Sequence, residues 1–165
     1  KVSDEDWHFQ VDGTLTSAFL VSQEALKAFD GHGGCIIFIG SVNGMAAFGH
    51  EAYSAAKAGL TSLAQNLTIR FGPAGVRTNV VAPGSIHTEF WDNLDDSDGD
   101  PIEKVARHYP LGRVGRPDDV AGAVSFLASE DASWISGIVL PVEGGILSGN
   151  LGFARDRDTP AAETS

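Results

Sequence analysis

Short apolar runs constrain the fold of this 165-residue chain more than any other feature. CIIFIG at residues 35–40 and VRTNVVA at 76–82 have the length of strands, and a glycine precedes each. A third run, GIVLPV, occupies residues 137–142. Continuous runs rich in β-branched residues are typical of strands that helices cover on both faces. The sequence therefore predicts three strands of a buried parallel sheet.

Helical patterns alternate with these strands. Residues 4–29 repeat apolar side chains at helical spacing, and the glycines of DGHGG then end the helix. Residues 51–71 carry a second apolar stripe, and 117–129 form a helix that opens on Pro117, with a shorter helix at 101–109. This alternation predicts an α/β fold whose ligands bind beyond the carboxyl ends of the strands.

The composition of the chain argues against nucleic acid and membranes as binding partners. The net charge of −11 argues against nucleic acid, because phosphate binding needs a basic face. No apolar run approaches the roughly 18 residues of a membrane span, so no membrane partner is expected. The single cysteine, Cys35, fits a reducing cytoplasm, and the five histidines show no metal-ligand spacing. Because the chain begins with lysine and its only methionine is Met45, we expect a piece of a longer protein.

The segment YSAAK places Tyr53 and Lys57 four residues apart within the second helix. Residues at this spacing share one helix face, so the phenol and the ammonium can meet. A free tyrosine has a pKa near 10, and a nearby cation favours its phenolate form. The pair therefore indicates a proton-transfer group, although a surface lysine beside a half-buried tyrosine would have the same spacing.

Two other features follow strand ends. Ser41 lies directly after the first strand, where its hydroxyl could contact a substrate oxygen or merely cap a turn. Pro83 and Gly84 follow the second strand, where glycine allows a backbone to approach a ligand closely or simply forms a turn.

Together these features resemble the short-chain dehydrogenase/reductase family. The resemblance rests on the order Ser41, Tyr53, Lys57, Pro83, Gly84 and Thr88, on GRVGRPDDVA at 112–121 and on SWISGIVLPVEGG at 133–145. It spans residues 7–145 and implies a Rossmann-like, doubly wound parallel sheet. It also implies hydride transfer between NAD or NADP and a small-molecule alcohol/carbonyl pair.

The resemblance implies a role for each matched position. Tyr53 would be the general acid or base, Lys57 would assist it and hold the nicotinamide ribose, and Ser41 would bond the substrate oxygen. The cofactor would be bound by Tyr53, Lys57, Pro83, Gly84, Ile86 and Thr88. Counting from Trp7 places Thr14 where the family has an active-site asparagine.

The largest departure from the family is a missing glycine-rich phosphate turn. We therefore expect the C-terminal part of a family member: one domain over residues 1–150, incomplete at its N-terminus, and a flexible polar tail over 151–165. Its sheet would lack the central strand and expose an apolar edge. The family also implies a homo-dimer or homo-tetramer through helices 4–29 and 51–71.

Two alternatives stay open. The chain could be a truncated, non-catalytic fragment that keeps only fold and oligomer surfaces. It could also come from the extended epimerase/dehydratase branch, which shares Y-x-x-x-K, although the ending VEGG and the short length disfavour this. The acidic segment 92–100 is expected to be a solvated, mobile loop. The family resemblance implies a substrate lid in this region, with Phe90, Trp91 and Leu94 on its inner face.

Overall fold

The helices and strands follow the predicted order. The structure is a computed structural model and describes residues 2–93, 97 and 99–158. In that part of the chain the helices are α1 (Asp4–Val11), α2 (Ser17–Phe29), α3 (Glu51–Phe71), α4 (Glu89–Asp92), α5 (Pro101–Ala106), α6 (Pro117–Ala128) and α7 (Leu151–Asp158). The strands are β1 (Gly34–Ile39), β2 (Val76–Pro83) and β3 (Val139–Val142). None of these helices is long and apolar enough to cross a bilayer.

The described residues divide into two compact units. The sheet unit comprises residues 2–83 and 118–142, and the loop unit comprises the described residues of 84–117 and 143–158. The sheet unit holds all three strands with α1, α2, α3 and nearly all of α6, whereas the loop unit holds α4, α5 and α7. Residues 151–158, expected to be a flexible tail, form a helix; residues 159–165 lie outside the described part.

The sheet is parallel, in the order β1-β2-β3. Gly34 stands opposite Val76 in one pair of strands, and Val80 stands opposite Val139 in the other. β2 is therefore the central strand, and its residues are almost all buried. β1 was expected to be buried on both faces, but most of it is only half-buried and Ile39 is 47% exposed. Among the described residues β1 pairs with β2 alone, so its outer edge is open.

Helices cover both faces of the sheet, as predicted. On one face Phe38 and Val80 pack with Leu60, Ala64 and Leu67 of α3, and side chains from α2 join this cluster. On the other face Val81 packs with Leu127 at the end of α6 and with Ala132. The sheet unit thus has the layered α/β architecture expected from the sequence.

The predicted helix 4–29 is continuous but irregular. A π-helical turn at Asp12–Thr16 separates α1 from α2. Such turns insert one extra residue per turn and are rare within α-helices. α2 then ends at Asp30, whose left-handed conformation (φ 45°) precedes the predicted glycine stop.

Polar residues at the start of β2 organise the loop that precedes β3. Asn79, fully buried, donates from its amide to Ile135 O at 2.9 Å and accepts from Ile138 N at 3.2 Å. The Arg77 guanidinium donates to Leu127 O at 2.7 Å, in the last turn of α6. Buried polar groups are tolerated when they are bonded in this way, so these residues fix the loop rather than weaken the core.

Thr78 offers a direct test of this packing. Its Oγ1 is buried and has no hydrogen-bond partner in the described part of the chain. A buried unsatisfied hydroxyl costs about 1–3 kcal/mol, so Thr78→Val should raise the free energy of unfolding by about 1 kcal/mol. The measurement is urea denaturation followed by circular dichroism.

Thr68→Val is the matched control. The Thr68 hydroxyl bonds Thr78 O at 3.2 Å and Ser136 Oγ at 3.0 Å, so the same change there should lower stability by about 1–2 kcal/mol. If both variants lost the same free energy of unfolding, the Thr78 hydroxyl would have to have a hydrogen-bond partner.

Candidate active site

Tyr53 and Lys57 share one face of α3, as their spacing predicts. The Lys57 Nζ lies 5.5 Å from the centroid of the Tyr53 ring, within the range of a cation–π contact. The same Nζ donates to the carbonyl of Ile39, the last residue of β1, at 2.7 Å. The phenol and the ammonium therefore lie together at the carboxyl end of the sheet, where ligands of such folds bind.

Partial burial removes water from around the Lys57 ammonium and disfavours its charged form. Desolvation lowers the pKa of Lys57 from its ordinary value of 10.5. A poorly hydrated cation is weakly screened by water, so it interacts strongly with polar groups placed beside it. In the described structure those neighbours are the Ile39 carbonyl and the Tyr53 ring.

Ser41 lies where β1 ends and caps the 3₁₀ turn Val42–Gly44. Its Oγ accepts from Asn43 N at 3.2 Å, and its hydroxyl reaches Asn43 Oδ1 at 3.4 Å. The capping role considered from sequence is thus present. The long donor contact leaves the hydroxyl proton weakly engaged, so capping does not prevent Ser41 from donating to a ligand.

Gly44 explains how the Ser41 turn is held against α3. A Cβ at this position would lie 2.8 Å from the carbonyl carbon of Lys57 and 2.9 Å from Ala58 N. Only glycine permits this approach of two backbones. The turn that carries Ser41 therefore packs on α3 at the level of Lys57.

Ser54, inside YSAAK, fixes the entry to α3. Its Oγ donates to Gly49 O at 2.7 Å and accepts from the Asn43 side chain at 3.4 Å. His50 follows in a left-handed conformation (φ 57°) and begins the helix without a side-chain cap. These bonds tie the strand-end turn to the start of the helix that carries Tyr53.

A cavity of about 360 Å³ opens beside Tyr53. Its lining combines one side of α1 and the residue Val2 before it with the start of α3: Val2, Asp6, Gln10, His50, Glu51, Ala52 and Tyr53. Sequence reasoning did not consider residues of α1 for the site. They lie about 40 residues from the start of α3 along the chain, so their approach to it leaves no local signal in the sequence.

Thr14 lies in the π-helical turn rather than in regular helix. It is half-buried, and its carbonyl accepts from the Ser17 hydroxyl at 3.2 Å. No hydrogen bond joins Thr14 to Tyr53 or Lys57 among the described residues. The neighbouring Leu15 contacts α3 at Gly59, where a Cβ would lie 2.6 Å from Leu15 Cδ2.

Pro83 is the buried last residue of β2, and Gly84 begins the loop unit. Ile86 forms an isolated parallel bridge with Gly115, flanked by bonds from His87 N to Gly115 O at 2.8 Å and from Gly115 N to Ser85 O at 2.9 Å. Thr88 is exposed and precedes α4. The segment GRVG thus holds residues 85–87 in an extended conformation.

Two aromatic side chains also contact this loop. The Trp91 Nε1 donates to Ile86 O at 2.8 Å, so Trp91 binds the loop rather than only facing a lid. The hydroxyl of Tyr109, a residue that sequence reasoning missed, bonds both the backbone and the side chain of Ser85. Leu94 and the Phe90 side chain, predicted for the lid, lie outside the described residues.

Metal-binding chemistry has no support in the described part of the chain. No group of three or more His, Cys, Asp or Glu side chains there could hold a metal ion.

Known proteins match most of the chain. A family model described as enoyl-(acyl carrier protein) reductase matches residues 1–147. An uncharacterised oxidoreductase of Schizosaccharomyces pombe is 45% identical over 94% of this chain. The 3-oxoacyl-[acyl-carrier-protein] reductase MabA of Mycobacterium avium is 44% identical over 91% of it. The chain spans 61% and 58% of the lengths of these two relatives.

Solved structures agree with these relatives. A short-chain dehydrogenase/reductase family oxidoreductase from Burkholderia thailandensis superposes with a TM-score of 0.87 at 41% identity, covering 94% of this chain and 61% of that one. A 4-hydroxyisoleucine dehydrogenase complexed with NADH and succinate gives 0.79 at 29% identity, over 89% and 61% of the two chains. An ElxO variant with NADPH bound gives 0.85 at 28%, over 90% and 61%.

The lowered pKa of Lys57 predicts a pH dependence. The folded state disfavours the charged ammonium, so wild-type folding carries a penalty at neutral pH that disappears as pH rises through the folded pKa toward 10.5. Lys57→Met lacks this penalty at every pH. The stability of the variant minus that of the wild type should therefore fall as pH is raised from 7 toward 10.5.

Denaturant unfolding at several pH values measures that difference. Lys27→Met is the control, because it removes one positive charge from an exposed lysine that bridges Glu24 at 2.7 Å. A difference that stays constant for Lys57→Met, or falls no more than in the control, would contradict the burial of the ammonium.

Proposed function

The chain belongs to the short-chain dehydrogenase/reductase family, and on that premise we propose that it is the catalytic part of an NAD(P)-dependent oxidoreductase. It would interconvert a secondary alcohol and a ketone. The observation that carries this proposal is the placement of the Tyr53 phenol beside a half-buried Lys57 ammonium at the carboxyl end of β1. Ser41, held at the same strand end by Gly44, supplies a hydroxyl.

The residues present fit the nicotinamide half of a dinucleotide. The Lys57 ammonium has three N–H donors, and the Ile39 carbonyl takes one of them, so two others can serve ribose hydroxyls. Gly84 and the backbone of Ile86 follow the end of β2 and would accept the nicotinamide ring and its carboxamide, with Thr88 beyond them. The sequence has no glycine-rich phosphate turn, so this chain offers no corresponding site for the pyrophosphate.

Proton transfer would be the work of this chain's own residues. In reduction the Tyr53 hydroxyl gives its proton to the ketone oxygen, and in oxidation the phenolate takes the proton of the alcohol. The Lys57 cation stabilises that phenolate, since an opposite charge favours the ionised form. The Ser41 hydroxyl donates to the same substrate oxygen as charge develops there. The bound nicotinamide supplies the hydride in reduction and accepts it in oxidation.

Solved relatives support the choice of cofactor class without deciding between its members. One similar structure contains NADH and another contains NADPH. The residues that distinguish the two follow the second strand of a complete dinucleotide-binding fold. The proposed cofactor is therefore NAD or NADP. Thr14 would stand in for the family's active-site asparagine through its backbone carbonyl, because no hydrogen bond engages its side chain in the described structure.

Homo-oligomers would use the outer faces of α1, α2 and α3. Large apolar side chains are exposed on these helices, with Phe9 at 76% and Ile69 at 81%. Exposed apolar groups of this size are typical of protein contacts. We propose a dimer or tetramer that acts on a small-molecule alcohol or ketone in the cytoplasm. The family supports the oligomer and the substrate class, and the single cysteine supports the compartment.

The alternative is a non-catalytic fragment. The open edge of β1 favours this alternative. In the described residues β1 pairs only with β2, and an edge strand with an exposed Ile39 is an unfavourable edge for a folded sheet. Cofactor binding distinguishes the two readings, since a fragment that keeps only fold and contact surfaces has no affinity for NADH or NADPH.

A titration tests the proposal. The 165-residue chain carrying Trp7→Phe and Trp134→Phe keeps Trp91 as its only tryptophan, half-buried beside the loop that would bind the nicotinamide. We expect NADH or NADPH to change Trp91 fluorescence with a Kd on the order of micromolar, about 8 kcal/mol of binding free energy. The absence of any binding would favour the fragment reading.

Tyr53→Phe separates chemistry from binding. The variant keeps the aromatic ring beside Lys57 but removes the transferable proton. Turnover of a ketone should fall about 10²–10⁴-fold, whereas the Kd for the cofactor should stay within about twofold. Full turnover in Tyr53→Phe would remove Tyr53 from the mechanism.

A further inference from the structure

Among the described residues of the loop unit, Tyr109 is the most buried of the side chains that carry a hydroxyl. It is 3% exposed, and its Oη lies between the backbone nitrogen and the side-chain hydroxyl of Ser85. Ser85 N donates to Oη at 2.7 Å, and Oη donates to Ser85 Oγ at 2.9 Å. A phenol that both accepts and donates in this way has its hydrogen bonding satisfied despite burial. The contact fixes the backbone of Ser85 and not only its side chain.

Glycines make room for the Tyr109 ring. A Cβ on Gly84 would lie 3.0 Å from Tyr109 Cε1, and a Cβ on Gly144 would lie 3.1 Å from Cδ1. Gly144 also has a φ of 60° and accepts a bond from Leu111 N at 3.1 Å. The ring therefore packs between the first residue after β2 and the EGG ending, and a larger residue on either side would displace it.

Trp91 binds the same loop one residue further on, through a side chain that donates to Ile86 O. On either side of Ile86, backbone bonds to Gly115 hold Ser85 O and His87 N. Each of three consecutive residues, 85–87, thus has a backbone group held by a partner outside the loop. Backbone groups fixed in this way before a ligand arrives need not be ordered upon binding.

We propose that Tyr109 and Trp91 are positioning residues that hold residues 85–87 ready for the nicotinamide carboxamide. The proposal rests on the proposed function for the identity of the ligand. Neither side chain needs to contact the reacting atoms. Tyr109 acts through Ser85, and Trp91 acts through the carbonyl of Ile86.

Hydrogen exchange tests the first contact without any cofactor. Tyr109→Phe keeps the ring packed between Gly84 and Gly144 and removes only the oxygen that accepts the hydrogen bond from Ser85 N. The amide of Ser85 should then exchange about 10-fold faster, the equivalent of one lost hydrogen bond, while amides of β2 keep their protection. The measurement is exchange on the 165-residue chain, resolved by nuclear magnetic resonance.

Tyr53→Phe is the matched control, because it is the same chemical change at the chain's other tyrosine. Exchange at Ser85 should be unchanged there. Ser85→Ala is a second variant, which removes Oγ but keeps the bond from Ser85 N, and it should raise exchange less than Tyr109→Phe does. Unchanged exchange at Ser85 in Tyr109→Phe would overturn the proposal, as would a uniform rise throughout residues 101–117. If Tyr109→Phe does not fold, the wild-type chain decides: fast, unprotected exchange of the Ser85 amide there would overturn the proposal, because the bond to Tyr109 Oη should protect that amide.

Cofactor affinity supplies the second readout. Trp91→Phe and Tyr109→Phe should each raise the Kd for the preferred cofactor about 3–10-fold by calorimetry, with little change in melting temperature. Ile102→Ala, which truncates a half-buried side chain on α5 outside this loop, is the control for lost stability alone and should leave Kd unchanged. Wild-type affinity in both aromatic variants would overturn the positioning role. If the wild-type chain binds neither cofactor, the proposed function fails, and the exchange experiment alone still decides whether Tyr109 holds the loop.

Discussion

The central strand β2 is the constraint on which the rest of the structure depends. It pairs on both sides, with β1 and with β3, and its residues are almost all buried. At its start Arg77 and Asn79 bond the carbonyls that end α6 and precede β3. At its end Pro83 leads directly into Gly84. A displacement of β2 would therefore disturb both neighbouring strands and the helices that pack on the two faces of the sheet.

The site at the end of β1 depends on close packing as much as on chemistry. Gly44 allows the Ser41 turn to touch the backbone of α3, and Ser54 ties that turn to the helix start. Within YSAAK, Ala56 is core, Ser54 is a loop anchor, and Tyr53 and Lys57 face the strand end. One helical turn thus contacts the core, the preceding loop and the strand end. The residues between the phenol and the ammonium are small because they pack closely against the first two.

Sequence reasoning succeeded where the relevant contacts are local. Helical and strand periodicity predicted α3 at its observed bounds and β2 to within one residue, because burial repeats at fixed intervals along each element. The shared face of Tyr53 and Lys57 followed from the same geometry. The π-helical turn around Thr14 had no signal, because α1 buries no residue and so has no apolar stripe whose phase could be seen to shift at the turn.

Contacts between distant segments account for what the sequence did not reveal. Tyr109 and Ser85 are 24 residues apart, and their pairing also needs Gly84 and Gly144 to leave space for a ring. Each glycine alone is an ordinary turn residue, and the tyrosine alone is an ordinary aromatic before proline. Only their packing shows that the PG, YPLGR and EGG segments surround one side chain. The two tyrosines of the chain thus have opposite environments: Tyr53 is half-buried with a cation beside it, and Tyr109 is enclosed with both hydrogen bonds committed to Ser85.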